Sequence, residues 1–242
     1  MDANILMQRL RSGGSIKYIP FWKRTLDLTC ILIALPVVLP LTLFIAAWIK
    51  LVSRGPVLFQ QERIGYLTKR FQCLKFRSMR VDADTQAHEV HLDYLMNANV
   101  PLMKMDVRGD SRVIPGGWIL RASGLDELPQ LINVLRGDMS LIGPRPCLPF
   151  EYQKYQLWQC ERFNAVPGLT GLWQVKGKNK TTFEEMMRLD IQYARSLSLA
   201  QDLKILFGTI PALITQVQET RAKRKGTVQR PIGNTVSART TI

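Results

Sequence analysis

A chain of 242 residues, 46% of them apolar, has room for one domain and an appendage but is cramped for two full domains. Lysine and arginine outnumber aspartate and glutamate 33 to 19, a net charge of +14, which points to an anionic partner surface: nucleic acid, acidic lipid or a phosphorylated substrate. The four cysteines, Cys30, Cys73, Cys147 and Cys160, have no paired spacing, which argues against a zinc site and for reduced thiols in a cytosolic compartment.

Residues 1–22 are polar and basic, with Arg9, Arg11 and Lys17, and Gly13-Gly14 interrupts any helix. They carry no signal-peptide cleavage pattern and read as a cytosolic N-terminal segment. Residues 29–49 then hold no charge, close to the ~20 apolar residues that cross a bilayer, so a plain span is the default. Two features oppose it. Pro36 and Pro40 each remove a backbone hydrogen bond near the middle of the block. Basic residues also flank both sides, with Lys17, Lys23 and Arg24 before and Lys50, Arg54, Arg63, Lys69 and Arg70 after, so the positive-inside rule marks neither end as the outer one. A helix that enters, turns at the prolines and returns to the same face satisfies both. Its basic flanks are then expected on anionic headgroups of the cytoplasmic leaflet.

Two alternating runs, residues 57–65 and 71–79, are separated by a polar turn and predict a β-hairpin. Lys75 and Arg77 fall on one face of the second run, as phosphate ligands or as an exposed basic face. Residues 81–99 read as helix and 106–117 as loop. His88 and His91 are assigned no role.

Residues 121–146 concentrate the chemistry. Leu128, Leu131, Ile132 and Leu135 share one apolar helical face, and Arg136-Gly137 supplies a basic last turn and a stop. Pro129 cannot donate a hydrogen bond, so the helix begins no earlier than about Leu125 and Asp126 and Glu127 stand in its first turn. The positive end of a helix favours anions, both the Asp126 carboxylate and a phosphate. Arg121 and Arg145, the latter between Pro144 and Pro146, can screen the two and hold phosphate oxygens in pairs. This is the composition of a phosphoryl-transfer site, although acidic residues in a first turn are equally ordinary capping chemistry. A glycosidase is excluded, because its carboxylates must flank the scissile bond about 5 Å or more apart.

Residues 151–163 predict an amphipathic helix with Tyr152, Tyr155 and Trp158 as an aromatic stripe, more in keeping with core than with a ligand platform. Residues 167–175 follow, where Gly168 and Gly171 permit close approach of backbone to a ligand and Thr170 and Gln174 offer neutral hydrogen bonds; a simple turn accounts for the glycines equally well. Thr182-Phe183-Glu184-Glu185 is a capping box opening a helix with Phe183, Met186, Met187 and Ala194 on its apolar side. Asp190 and Tyr193, three apart, are expected to meet on one face. Residues 201–218 form a further apolar helix with Pro211, fit for the core or a lipid interface, and 221–242 a basic tail expected to be disordered, with Lys223, Arg224, Lys225, Arg230 and Arg239.

Asp-Glu-Leu-Pro-Gln-Leu at 126–131, with Asn-Val-Leu-Arg-Gly-Asp-Met-Ser-Leu-Ile-Gly-Pro-Arg-Pro at 133–146, resembles the signature of the bacterial sugar transferase family, the monotopic polyprenyl-phosphate phosphoglycosyl transferases. Lys-Phe-Arg-Ser-Met at 75–79, Pro-Gly-Leu-Thr-Gly at 167–171 and Asp190-x-x-Tyr193 resemble further family elements, and the likeness covers about residues 23–209. Leu39-Pro40 stands where the family has Ser-Pro, and Ser123-Gly124 where it has Thr-Ser. The resemblance implies a re-entrant helix-break-helix and transfer of a sugar phosphate from a nucleotide diphosphate sugar, a UDP-sugar, to polyprenyl phosphate. It further implies that Asp126 is the nucleophile and a ligand of Mg2+, that Glu127 assists, and that Arg121 and Arg145 hold phosphate. Thr170 and Gln174 would line the nucleotide-sugar side, and Asp190 would touch the nucleotide sugar or the metal.

The expected architecture is a helix-rich α+β chain: a segment at 1–22, a re-entrant membrane helix at 23–53, a cytosolic catalytic domain at 54–220 and a tail at 221–242, on the cytoplasmic face of the bacterial inner membrane. A non-catalytic protein binding anionic membrane lipid is the rival reading. A nucleic-acid partner is disfavoured by the apolar block and the lack of a binding motif. A homo-oligomer is left open.

Overall fold

The computed structural model describes residues 19–80, 86–98, 100–102, 112–177 and 181–226. Most of the expected N-terminal segment, the first half of the 106–117 loop and the tail beyond Gly226 lie outside the described residues.

Helix α1, Phe21–Val52, carries both prolines inside it as one helical run, so the expected break into two helices is not present at the level of backbone pairing. Its two ends are buried in the same globular body: Lys23, Asp27 and Ile31 at one, Ile45 and Ile49 at the other. Between them Leu32, Ile33, Val37, Leu43 and Phe44 stand exposed. It is the one helix among the described residues that is long and apolar enough to cross a membrane.

The expected hairpin is present. Strands β1, Leu58–Ile64, and β2, Arg70–Phe76, pair antiparallel with Leu58 opposite Phe76 and Ile64 opposite Arg70. The turn between them puts Leu67 at φ 51° and Thr68 at φ 61°, a left-handed conformation taken by side chains that rarely adopt it. Helix α2, Gln86–Asn97, follows. Helix α3, Gly117–Ser123, ends at Gly124, whose φ of 75° reverses the chain into a 3-10 turn at Leu125–Glu127. Helix α4, Gln130–Arg136, then starts behind Pro129 and stops at Gly137. The two short segments together are the helix that the sequence predicts, tightened over its first turn. Its buried face differs from the expected one. Gln130, Asn133 and Val134 point inward, while Ile132 and Leu135 are exposed. The reason is Asn133, whose side-chain oxygen accepts from the Leu74 N–H at 3.0 Å while its amide donates to the Gln72 carbonyl at 2.7 Å, pairing with β2 as a neighbouring strand would.

Strand β3, Ser140–Ile142, pairs in parallel with β4, Gly168–Thr170, as a second sheet. Ile64 bridges to Cys147 between the two sheets. The strands approach closely at Gly143 and Gly168, where a Cβ on Gly143 would overlap the Val166 carbonyl oxygen and one on Gly168 the Gly143 nitrogen. Gly143→Ala is therefore expected to destabilise the protein by about 1–3 kcal/mol, read as a lower thermal midpoint.

The predicted helix over 151–163 is instead broken into α5, Pro149–Gln153, and a 3-10 segment, Leu157–Asn164. The break lets Glu151 and Arg162 meet through Tyr155, whereas an unbroken helix would set them about 16 Å apart along its axis. Tyr152 and Tyr155 pack on Phe163, as core aromatics. Helix α6, Leu172–Gly177, leads to α7, Phe183–Arg195, which opens with the expected capping box: Thr182 accepts from the Glu185 N–H and the Glu185 carboxylate accepts from the Thr182 N–H. Phe183, Met186, Met187 and Ala194 are buried as expected. Helix α8, Leu199–Gly226, runs past Arg221, where a disordered tail was expected; Ala222 and its Lys and Arg neighbours are good helix formers. All four cysteines are free thiols.

Candidate active site

Asp126 and Glu127 lie half-buried in the 3-10 turn between α3 and α4. Two contacts fix that turn. Leu125 and Leu128 pack on Ile45, Ile49 and Phe76, which ties it to the second half of α1, and Asn133 ties the following helix to β2. Lys75, on β2, donates to the Glu127 carboxylate at 3.0 Å with both side chains partly exposed. Neighbours in a 3-10 turn project about 120° apart, so the two carboxylates point different ways. Arg121 stands in the last turn of α3, just ahead of Gly124 and the acidic pair.

Arg145 comes from the loop after β3. Its Nη1 donates to both oxygens of Glu151, at 3.2 and 3.0 Å, and its side chain is 26% exposed. The buried Cys73 thiol is pushed up by desolvation, with Lys75, Arg63, Glu127 and Arg145 as the charges that act on it. Glu151 is fully buried. Desolvation alone would raise its carboxyl, but Arg145 and Arg63 outweigh it and hold it below its ordinary value of 4.5. A depressed acid contributes stability that is complete above that ordinary value and lost as pH falls through the folded-state value. Unfolding titrations from pH 7 down to 3 are accordingly expected to show a stability loss below about 4.5, and Glu151→Gln is expected to flatten that slope.

Several predicted residues are placed otherwise than expected. Arg77 is buried and donates to the carbonyls of Arg54 at 2.6 Å and Ser53 at 3.0 Å, the two residues that follow α1, so its guanidinium is committed to main chain rather than held out for phosphate. Lys23 and Arg24, two of the flanking cations, both have partners within the protein. Lys23 is buried against Asp202 at 2.7 Å, and Arg24 donates to the terminal carbonyls of α4, Val134 and Leu135. Asp190 and Tyr193 do not pair with each other. Asp190 meets Arg162 at 2.6 Å, both buried, while Tyr193 donates to Asp202 at 2.7 Å. Burial pushes the Asp190 carboxyl up to about 6 despite Arg162.

Thr170 ends β4 and Gln174 stands in the first turn of α6. Thr170 shares a 2.8 Å hydrogen bond with Thr209 of α8, and Gln174 donates to the Leu169 carbonyl at 3.1 Å. The Gln174 side-chain oxygen is buried with no hydrogen-bond partner among the described residues, an acceptor in want of a donor.

Among the described residues no group of three or more His, Cys, Asp or Glu side chains could hold a metal ion. Mg2+ commonly takes one or two carboxylates and completes its shell with substrate phosphates and water, so a site for it does not require such a group.

The reading of residues missed Asn133, Arg162, Glu151 and the partners of Lys23. A polar Asn and a Gln amid the leucines of 128–135 were the one available signal, since a polar residue buried on an apolar face must find a partner.

Comparison with known proteins gives one family. The bacterial sugar transferase family matches residues 18–216. The UDP-glucose:undecaprenyl-phosphate glucose-1-phosphate transferase of Caulobacter vibrioides is 42% identical over 216 residues, 85% of this chain and 75% of that protein. The exopolysaccharide production protein ExoY of Rhizobium meliloti is 38% identical over 194 residues, 79% of this chain and 84% of that protein. The galactosyl transferase CpsE of Streptococcus agalactiae is 38% identical over 193 residues, 79% of this chain but 42% of that protein, so the chain spans less than half of that relative.

Proposed function

The chain belongs to the bacterial sugar transferase family, and from that premise we propose that it moves a sugar phosphate from a UDP-sugar to undecaprenyl phosphate, starting a polysaccharide or glycoconjugate. The observation that carries the proposal is the turn at Asp126–Glu127, packed on α1 and with Lys75 on the Glu127 carboxylate. A half-buried pair of carboxylates beside a lysine, packed on an apolar helix, suits a phosphorus electrophile and a lipid-borne acceptor.

In the proposed chemistry an Asp126 carboxylate oxygen attacks the β-phosphorus, and the bond from that phosphorus to the α-phosphate oxygen breaks, releasing the nucleoside monophosphate. The lipid phosphate oxygen then attacks the same phosphorus and the aspartate leaves, giving a polyprenyl diphosphate sugar. Glu127, kept oriented by Lys75, assists. Arg121 and Arg145 hold phosphate oxygens, and Thr170 and Gln174 face the nucleotide sugar. Asp190, buried on Arg162, acts on that side through the arginine network rather than by direct contact. Mg2+ bound at Asp126 would neutralise the diphosphate and the developing charge of the leaving group.

The membrane placement is monotopic, on the cytoplasmic face. Its support is that both ends of α1 are buried in one body while the apolar middle is exposed, which a helix with ends on opposite sides of a bilayer would not allow. Relatives named for galactose and for glucose leave the sugar unspecified. The test is to incubate purified protein with undecaprenyl phosphate, Mg2+ and a panel of nucleotide sugars and to assay nucleoside monophosphate release. Release that depends on the lipid supports the proposal; silence from folded protein across the panel overturns it.

A further inference from the structure

Five charged side chains converge behind Arg145. Arg63, Arg145 and Arg162 supply three positive charges, and Glu151 and Asp190 two negative ones, a surplus of one cation. Arg63 and Arg162 have side chains 7% and 1% exposed and Glu151 and Asp190 0% and 1%, so Arg145, at 26%, is the member that reaches the surface. The surplus therefore emerges at Arg145.

Resting on the proposed function, we infer that Glu151 is a positioning residue that aims Arg145 at a phosphate of the nucleotide substrate. The grip is end-on. Both Glu151 oxygens engage Nη1, and among the described residues neither Nη2 nor Nε of Arg145 makes a hydrogen bond, so one edge of the guanidinium fork stays available for two parallel bonds to phosphate. Glu151 is itself over-determined: its Oε1 accepts from the Leu148 N–H at 3.1 Å, its Oε2 from the Tyr155 hydroxyl at 3.4 Å, and Arg63 stands 4.0 Å away. The main chain of Arg145 is held as well, its carbonyl accepting from Arg162 at 2.5 Å, and Arg162 is anchored on Asp190. A guanidinium fixed at both ends before the ligand arrives loses little freedom on binding, and the ligand's charge balances the surplus cation.

A double-mutant cycle on the full chain tests this, with two readouts: kcat/KM for the nucleotide sugar and the Kd of uridine diphosphate by calorimetry. Arg145→Ala and Glu151→Gln are each expected to lower kcat/KM by about 30-fold or more, chiefly through KM, and to weaken uridine diphosphate comparably, while the double variant falls no further than the worse single one. If Glu151→Gln does not fold, Glu151→Asp takes its place: it keeps the buried charge but withdraws the carboxylate by one methylene, and the same non-additive loss is expected. Losses that multiply in the double variant, or a folded Glu151 variant with wild-type affinity and KM, would overturn the inference and leave the proposed function standing. A wild type that neither turns over nor binds uridine diphosphate removes both.

Discussion

Asp126→Asn is expected to lower turnover at least about 1,000-fold while leaving the protein folded and membrane-bound, because the amide keeps the shape of the side chain and removes the nucleophile. Glu127 is not expected to substitute for it. Its carboxylate is paired with Lys75 at 3.0 Å and points about 120° away around the 3-10 turn. The same substitution separates the enzyme from a lipid-binding protein without chemistry, whose attachment would depend on α1 and its exposed apolar middle and not on a half-buried carboxylate. Mass spectrometry supplies the second measurement. Wild-type protein given a UDP-sugar without lipid acceptor is expected to carry one sugar phosphate on the peptide containing Asp126, and the asparagine variant none. An asparagine variant that retains most of its turnover would sink the proposed mechanism.

Lys23→Met is expected to cost about 3–5 kcal/mol, lowering the thermal midpoint by about 6 to 20 °C. Lys23 donates to Asp202 at 2.7 Å, to the Ile142 carbonyl at 2.8 Å and to the Tyr193 hydroxyl at 2.9 Å, in a site where the lysine is 1% exposed and Asp202 0%. Removing the lysine leaves a buried carboxylate without its cation, and that uncompensated charge is the larger part of the penalty. The double variant Lys23→Met/Asp202→Leu is accordingly expected to recover most of the loss, since an apolar pair of similar bulk leaves no charge behind. A single variant as stable as wild type, measured by thermal unfolding in detergent, would show that the pair contributes nothing. Activity is expected to fall with stability in the single variant, because Ile142 leads directly into Gly143, Pro144 and Arg145. Asp27 reinforces the connection by accepting from the Ser140 hydroxyl and the Leu141 N–H, both at 2.9 Å. The N-terminal end of α1 thus grips the strand that leads to Arg145.

What the chain declares by itself is what short-range rules govern. The capping box at Thr182, the stop at Gly137, the alternation of the hairpin and the placement of Asp126 and Glu127 ahead of Pro129 follow from the geometry of four or five consecutive residues, and each is found where the sequence puts it. The family, too, is legible, because its longest motif lies within one contiguous stretch. Which cations remain for a ligand is decided only in three dimensions. Lys75, Arg77 and Arg145 look alike in sequence, yet Arg77 is committed to the main chain that follows α1, Lys75 orients Glu127 and only Arg145 keeps an open edge. The inward face of α4 is likewise set by β2, 61 residues away at Asn133, and the role of Lys23 by Asp202, 179 residues away. A buried charge must be paired, but burial and partner both come from elements that meet only when the chain has folded, so no local pattern encodes them.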